Sequence, residues 1–239
     1  MVPWIIGAAL APFAAALLVL ALKSLFLAAG RSGDALPFFA GFAGAALAWL
    51  AARFFPPQGR ATRTFDAAQR RIYIFGHELS HALAAWLSGA SIFAFHVGRR
   101  SGHVDLDKSN ALIALAPYCL PVYTAAGLLA WRVALAFKPG LPAAPFLAFL
   151  GLTLAFHLTK TVEYVWDLSQ PDLKAAGGVV FSLSAIAAAN GLVILGLAGA
   201  LFPRSVFFMA AVRSSWSWGI RFWLGAAALG RRAWRTLRA

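Results

Sequence analysis

Ile72-Tyr73-Ile74-Phe75-Gly76-His77-Glu78-Leu79-Ser80-His81-Ala82-Leu83-Ala84-Ala85-Trp86-Leu87-Ser88-Gly89 reads as an apolar helix with three ionisable side chains set within five positions. A helix of roughly 20 apolar residues crosses a bilayer, and ionisable groups inside such a helix are costly enough to default to a functional reading. His77 and His81 stand at i and i+4, one turn apart on one face, so both imidazoles can reach a single tetrahedral Zn²⁺. Glu78 follows the first histidine, where a zinc peptidase carries the general base that deprotonates water. Such an ion would polarise a scissile carbonyl and lower the pKa of bound water from 15.7 towards about 7. The bland alternative is a buried polar knot in which His77, Glu78 and His81 bond to one another.

The rest of the chain supports a membrane setting. Of 239 residues, 61% are hydrophobic and 12% charged, and the mean hydropathy is +0.74. A water-soluble fold does not carry that composition. The apolar runs lack the alternation of barrel strands, so the expected fold class is an all-α polytopic membrane protein. The net charge of +13 sits between and after the apolar runs and accompanies no nucleic-acid module, which argues for membrane anchoring and against nucleic acid. The sole cysteine, Cys119, excludes an internal disulfide and a cysteine-based zinc cluster.

About six transmembrane helices are expected. The first (Pro3–Leu22) and second (Leu36–Ala52) form an N-terminal hairpin over residues 1–52, joined by an Arg31-Ser32-Gly33-Asp34 turn. Residues 53–71 read as a basic cytoplasmic linker, with Pro56 and Pro57 stopping the helix and Asp66 facing five arginines. Residues 72–202 form the membrane core. It opens with the motif helix, followed by a short hairpin of two strands, Ser91–Val97 and Gly102–Leu106. An edge of that hairpin could take up an unwound substrate segment by strand addition. The fourth span (Ala111–Ala136) is expected to kink at Pro117 and Pro121. The fifth (Ala144–Val165) carries a polar face of His157, Lys160, Thr161, Tyr164 and Asp167, and the sixth runs from Leu173 to Phe202. Residues 203–239, rich in Arg and Trp and free of acids, read as a basic interfacial helix. The positive-inside rule puts this tail and the linker in the cytoplasm.

Two histidines leave a catalytic zinc one protein ligand short. Asp172, which follows a proline turn at the mouth of the sixth span, is the first candidate, with N-capping of that span as its structural role. Asp167 and His157 are the alternatives, and Lys160 and Asn190 are candidate supporting residues.

Phe75-Gly76-His77-Glu78-Leu79-Ser80-His81-Ala82-Leu83-Ala84-Ala85, the Gly89-Ala90 break, the following hairpin and a downstream aspartate at a helix boundary together resemble the site-2 protease family of intramembrane zinc metallopeptidases. The resemblance covers about Ile72 to Asn190 and implies zinc on His77, His81 and Asp172 with Glu78 activating water. Where the family carries Leu-Asp-Gly, this chain has Gln170-Pro171-Asp172-Leu173, and it has no inserted regulatory domain, as in a bare-core, divergent member. The expected activity is hydrolysis of peptide bonds of membrane proteins in or near their transmembrane segments, by a multi-pass protein of a cell membrane such as a bacterial inner membrane. Its partners would be a membrane-protein or peptide substrate and the lipid bilayer. Two other classes fit the sequence: a non-proteolytic scaffold or chaperone relative, and a transporter using the polar fifth span.

Overall fold

The computed structural model describes residues 2–31, 35–55, 59–203 and 208–238. The turn expected through Ser32, Gly33 and Asp34, the helix stop at Pro56 and Pro57, and Arg204 lie outside the described residues. In chain order the elements are α1 (Val2–Arg31), α2 (Leu36–Phe54), α3 (Arg60–Leu87), β1 (Ile92–Val97), β2 (Gly102–Leu106), α4 (Ala111–Cys119), α5 (Val122–Phe137), α6 (Ala143–Val165), α7 (Pro171–Ala175), α8 (Val179–Leu201) and α9 (Phe208–Arg238). Four of them, α1, α2, α6 and α8, are long and apolar enough to cross a membrane. The pair α4 and α5, bent by 69°, adds a fifth if counted as one span.

Three expectations change. The motif helix α3 is not among the helices apolar enough to cross a membrane, because His77, Glu78, Ser80 and His81 dilute its apolar run. It also begins at Arg60, so most of the expected linker is helix. Ala, Arg and Gln favour helix there, and Asp66 accepts an i,i+4 ion pair from Arg70 at 2.8 Å. The expected sixth span is two helices, α7 and α8, separated at Gly177 (φ 126°) and Gly178 (φ 96°), backbone conformations that glycine adopts readily and L side chains rarely do. Asp172 therefore does not cap a span. It lies in the first turn of α7, and α8 starts at Val179, after Gly178 at its N-cap position, with no side-chain cap.

The chain divides into two compact units. The terminal unit comprises Met1–Ser32 and Gly177–Ala239, the central unit Gly33–Ala176, so the two helices of the expected N-terminal hairpin fall in different units. In the terminal unit α1 packs on α8 and α9. Gly7 lets α1 approach α8 so closely that a Cβ there would lie 2.5 Å from the Phe181 backbone, and Ser184 donates to the Gly7 carbonyl at 2.8 Å.

In the central unit α2 packs on α6 through Gly41 and Gly151, each with no room for a Cβ against the facing helix backbone. α5 joins α6, where Thr124 donates to Thr153 at 3.1 Å across a buried contact. α3 is flanked by α4 and by the antiparallel hairpin, whose register pairs His96 with His103. Ala84 and Ala85 of α3 and Ile113 and Ala116 of α4 form a buried cluster, backed by Ala90 and Leu106 from the start and end of the hairpin. This cluster packs α4 and the end of β2 against α3 about one turn beyond His81.

Candidate metal centre

The i,i+4 spacing on α3 brings His77 Nε2 within 3.2 Å of His81 Nε2. Asp172 Oδ2 completes a triangle, 3.5 Å from His77 Nε2 and 3.8 Å from His81 Nε2. All three side chains are half-buried, and among the described residues they are the group of His, Cys, Asp or Glu whose donor atoms converge closely enough for one ion. Two nitrogens bound at 2.0–2.1 Å to a tetrahedral zinc stand about 3.3 Å apart, so the ring separation fits the donor set of such an ion. Two imidazoles and a carboxylate are also a common type of catalytic zinc triad.

Each donor is held from behind. His81 Nδ1 lies 2.8 Å from the Ile113 carbonyl. A carbonyl only accepts, so the hydrogen-bond network puts the proton on Nδ1 and leaves Nε2 as a lone pair aimed at the centre. His77 Nδ1 lies 3.1 Å from the Tyr73 hydroxyl, one turn earlier on α3. The Tyr118 hydroxyl donates to Asp172 Oδ2 at 2.9 Å, while its ring meets the His77 ring edge-on with centroids 5.6 Å apart. Tyr118 and Ile113 both belong to α4, so one nine-residue helix orients donors from two others. That helix is started by Asn110, whose side chain accepts from the Ile113 N–H at 2.9 Å, and ended at Leu120, ahead of Pro121. Leu173, fully buried, anchors α7 and with it Asp172.

Glu78 is only 7% exposed, makes no hydrogen bond among the described residues, and lines the same cavity as the three donors. The cavity measures about 850 Å³ and is bordered along one side by β2 and the residues that follow it, to Ser109. Gly102 opens β2 beside Glu78: a Cβ there would lie 2.6 Å from Glu78 Cγ and 2.8 Å from its Oε1. His103, stacked on His96 across the hairpin with centroids 5.2 Å apart, borders the cavity too.

The alternative third ligands stand elsewhere. Asp167 accepts from the Ser169 hydroxyl at 2.7 Å and from the Ser169 N–H at 3.1 Å, which hold its carboxyl below the usual carboxylate range. It is not one of the converging donors. His157 lines a narrow crevice with Tyr73, His77 and Ser80 and is likewise outside the converging set. Lys160 donates to Glu163 at 2.9 Å, and Trp49 of α2 donates to the same carboxylate oxygen at 3.1 Å, so this part of the polar face of α6 is bonded within the central unit. Asn190, in the terminal unit, donates to the Ile186 carbonyl at 2.9 Å.

Sequence reasoning missed Tyr73, Tyr118, the Ile113 carbonyl and Gly102. Tyr73 carried a signal, being four residues before His77 and thus on its face. The others are brought in by tertiary packing alone. No family model, no curated protein and no solved structure matches the chain.

Proposed function

We propose that this chain is a membrane-embedded zinc endopeptidase that hydrolyses peptide bonds of other membrane proteins in or near their transmembrane segments. The supporting observation is the convergence of His77 Nε2, His81 Nε2 and Asp172 Oδ2 beside a Glu78 carboxylate that makes no hydrogen bond among the described residues, on a cavity bordered by a strand. His77, His81 and Asp172 would hold the ion, which when bound supplies electrophilic activation of the carbonyl and of water. Tyr73, Tyr118 and the Ile113 carbonyl keep the donors aimed. Glu78 takes a proton from the attacking water as its oxygen adds to the carbonyl carbon. It then returns that proton to the amide nitrogen as the C–N bond breaks, so that the acid and amine products balance. β2 offers an extended peptide a strand to lie against as it passes Glu78.

A second reading, a non-proteolytic scaffold, is favoured by the 3.2 Å contact between the two imidazoles, since one ring N–H donating to the other nitrogen satisfies both without an ion. Zinc content and Glu78→Gln separate the two. The peptidase reading expects one zinc per chain, kept in Glu78→Gln, with cleavage of a reconstituted transmembrane substrate lost. A purified wild-type protein that binds no zinc, or a Glu78→Gln variant that still cleaves, overturns it.

A further inference from the structure

All eight acidic residues of the chain lie between Asp34 and Asp172, so the terminal unit has none. Its helix α9 carries Arg213, Arg221, Arg231, Arg232, Arg235 and Arg238, and none of these has an ion-pair partner among the described residues. At 100° per residue the six fall within roughly a third of the helix circumference. The other side of the helix packs on α1 through small residues. Ala211, Ser215 and Gly219 are buried, and a Cβ at Gly219 would press into the Phe13 ring. Trp216 lies on Phe13 with centroids 4.8 Å apart, and Trp223 Nε1 donates to the Ala9 carbonyl at 3.1 Å.

Beside this contact, α1, α8 and α9 enclose an open groove of about 690 Å³. Leu10, Phe13, Leu17, Leu192, Val212 and Trp216 give it apolar walls, and Arg213 is the one charged residue that lines it. A mostly apolar groove with a single guanidinium suits an amphiphile whose hydrocarbon tail is joined to an anionic head. Arginine matches phosphate oxygens in a bidentate fork. A zwitterionic lipid would bring its own ammonium group to a unit that holds several arginines and no carboxylate to receive it, so the charge pattern selects a lipid with net negative charge.

We propose that the terminal unit binds an anionic glycerophospholipid, with an acyl chain in the α1–α8–α9 groove and its phosphate on Arg213. The remaining arginines of α9 meet the headgroups of neighbouring anionic lipids. This site is independent of the metal centre and of the peptidase reading.

The test is native mass spectrometry of the purified full-length chain in detergent, titrated with phosphatidylglycerol or phosphatidylcholine of identical acyl chains. The wild type should retain one phosphatidylglycerol at a concentration at least tenfold below that needed for phosphatidylcholine. Arg213→Gln should remove that preference for the first lipid, and Ala188→Trp, which fills the groove, should remove the tight adduct. Replacing Arg231, Arg232, Arg235 and Arg238 with Gln should spare the first adduct and weaken only the later ones. Thermal unfolding of each variant checks that it is folded, and Arg213→Gln, at an exposed position, carries the test if Ala188→Trp is not. Equal retention of the two lipids by the wild type, or an unchanged preference in folded Arg213→Gln, overturns the proposal.

Discussion

Tyr118→Phe removes a single oxygen, the one that donates to Asp172 Oδ2 at 2.9 Å, and leaves the ring that packs edge-on against His77. Tyr118 is 1% exposed, so water does not readily replace the lost donor. Phenylalanine fills the same volume apart from the hydroxyl, and no cavity of consequence forms. Two effects then act on the candidate metal site. The carboxylate loses its shortest orienting bond, and it is left to its longer contacts with His77 and His81 and to the backbone of α7, a five-residue helix. Loss of a hydrogen bond behind a metal ligand typically weakens metal binding by 10–100-fold, or about 1.4–2.7 kcal/mol. A hydrogen bond to a charged acceptor contributes about 1.5–3 kcal/mol, in the same range. Zinc affinity is measured by chelator competition on the detergent-solubilised chain, and Co²⁺ substitution adds a visible spectrum that reports coordination symmetry. The expected outcome is a 10–100-fold rise in Kd with a shifted Co²⁺ spectrum and a thermal transition changed much less. An affinity within twofold of wild type, with an unaltered spectrum, refutes the reasoning that Tyr118 positions Asp172.

Asp172→Ala should empty the site at zinc concentrations that saturate the wild type, whereas Asp167→Ala and His157→Ala should keep it filled, as measured by bound metal after gel filtration. Gly102→Ala places a Cβ within 2.6 Å of Glu78 Cγ and 2.9 Å of the His96 carbonyl, so both the Glu78 side chain and the facing β1 backbone must give way. Cleavage should drop by about 10–100-fold with zinc content unchanged, because a base displaced by about 1 Å loses its alignment.

Local spacing carried much of the candidate site. His77, Glu78 and His81 are grouped by helical periodicity, which any reading of Ile72–Gly89 exposes. The break between α4 and α5 was legible for a similar reason, since Pro117 and Pro121 deny the helix its N–H donors. Asp172 was harder. Nothing in its neighbourhood distinguishes it from Asp167 except the proline before it, and the difference is made by Tyr118, 54 positions away. The extent of α3 was not legible because five arginines look like a solvated loop, whereas Arg53 ends α2 and Arg63, Arg70 and Arg71 lie exposed on α3 with Asp66. The division into two units was illegible. α1 and α8 are apolar on every side, so periodicity names no partner, and only the small residues Gly7, Ser184 and Gly191 mark the contact.

The smallest helix of the fold bears on how the centre would answer to its ion. Two donors sit on α3, a 28-residue helix, but the third sits on α7, whose five residues are too few to be helical by themselves. α7 is held by the buried Leu173, by the bond from Tyr118 and, when an ion is present, by Asp172 itself. Thermodynamic linkage then applies to this segment alone: an ion at a hundred times its Kd stabilises the bound arrangement by about 2.7 kcal/mol. That is comparable to either protein contact taken singly, the Tyr118 bond or the burial of Leu173, each about 1.5–3 kcal/mol. Chelation would therefore loosen the chain between Trp166 and Gly178 while the histidine-bearing helix stays ordered, and amide exchange in that segment would follow free zinc.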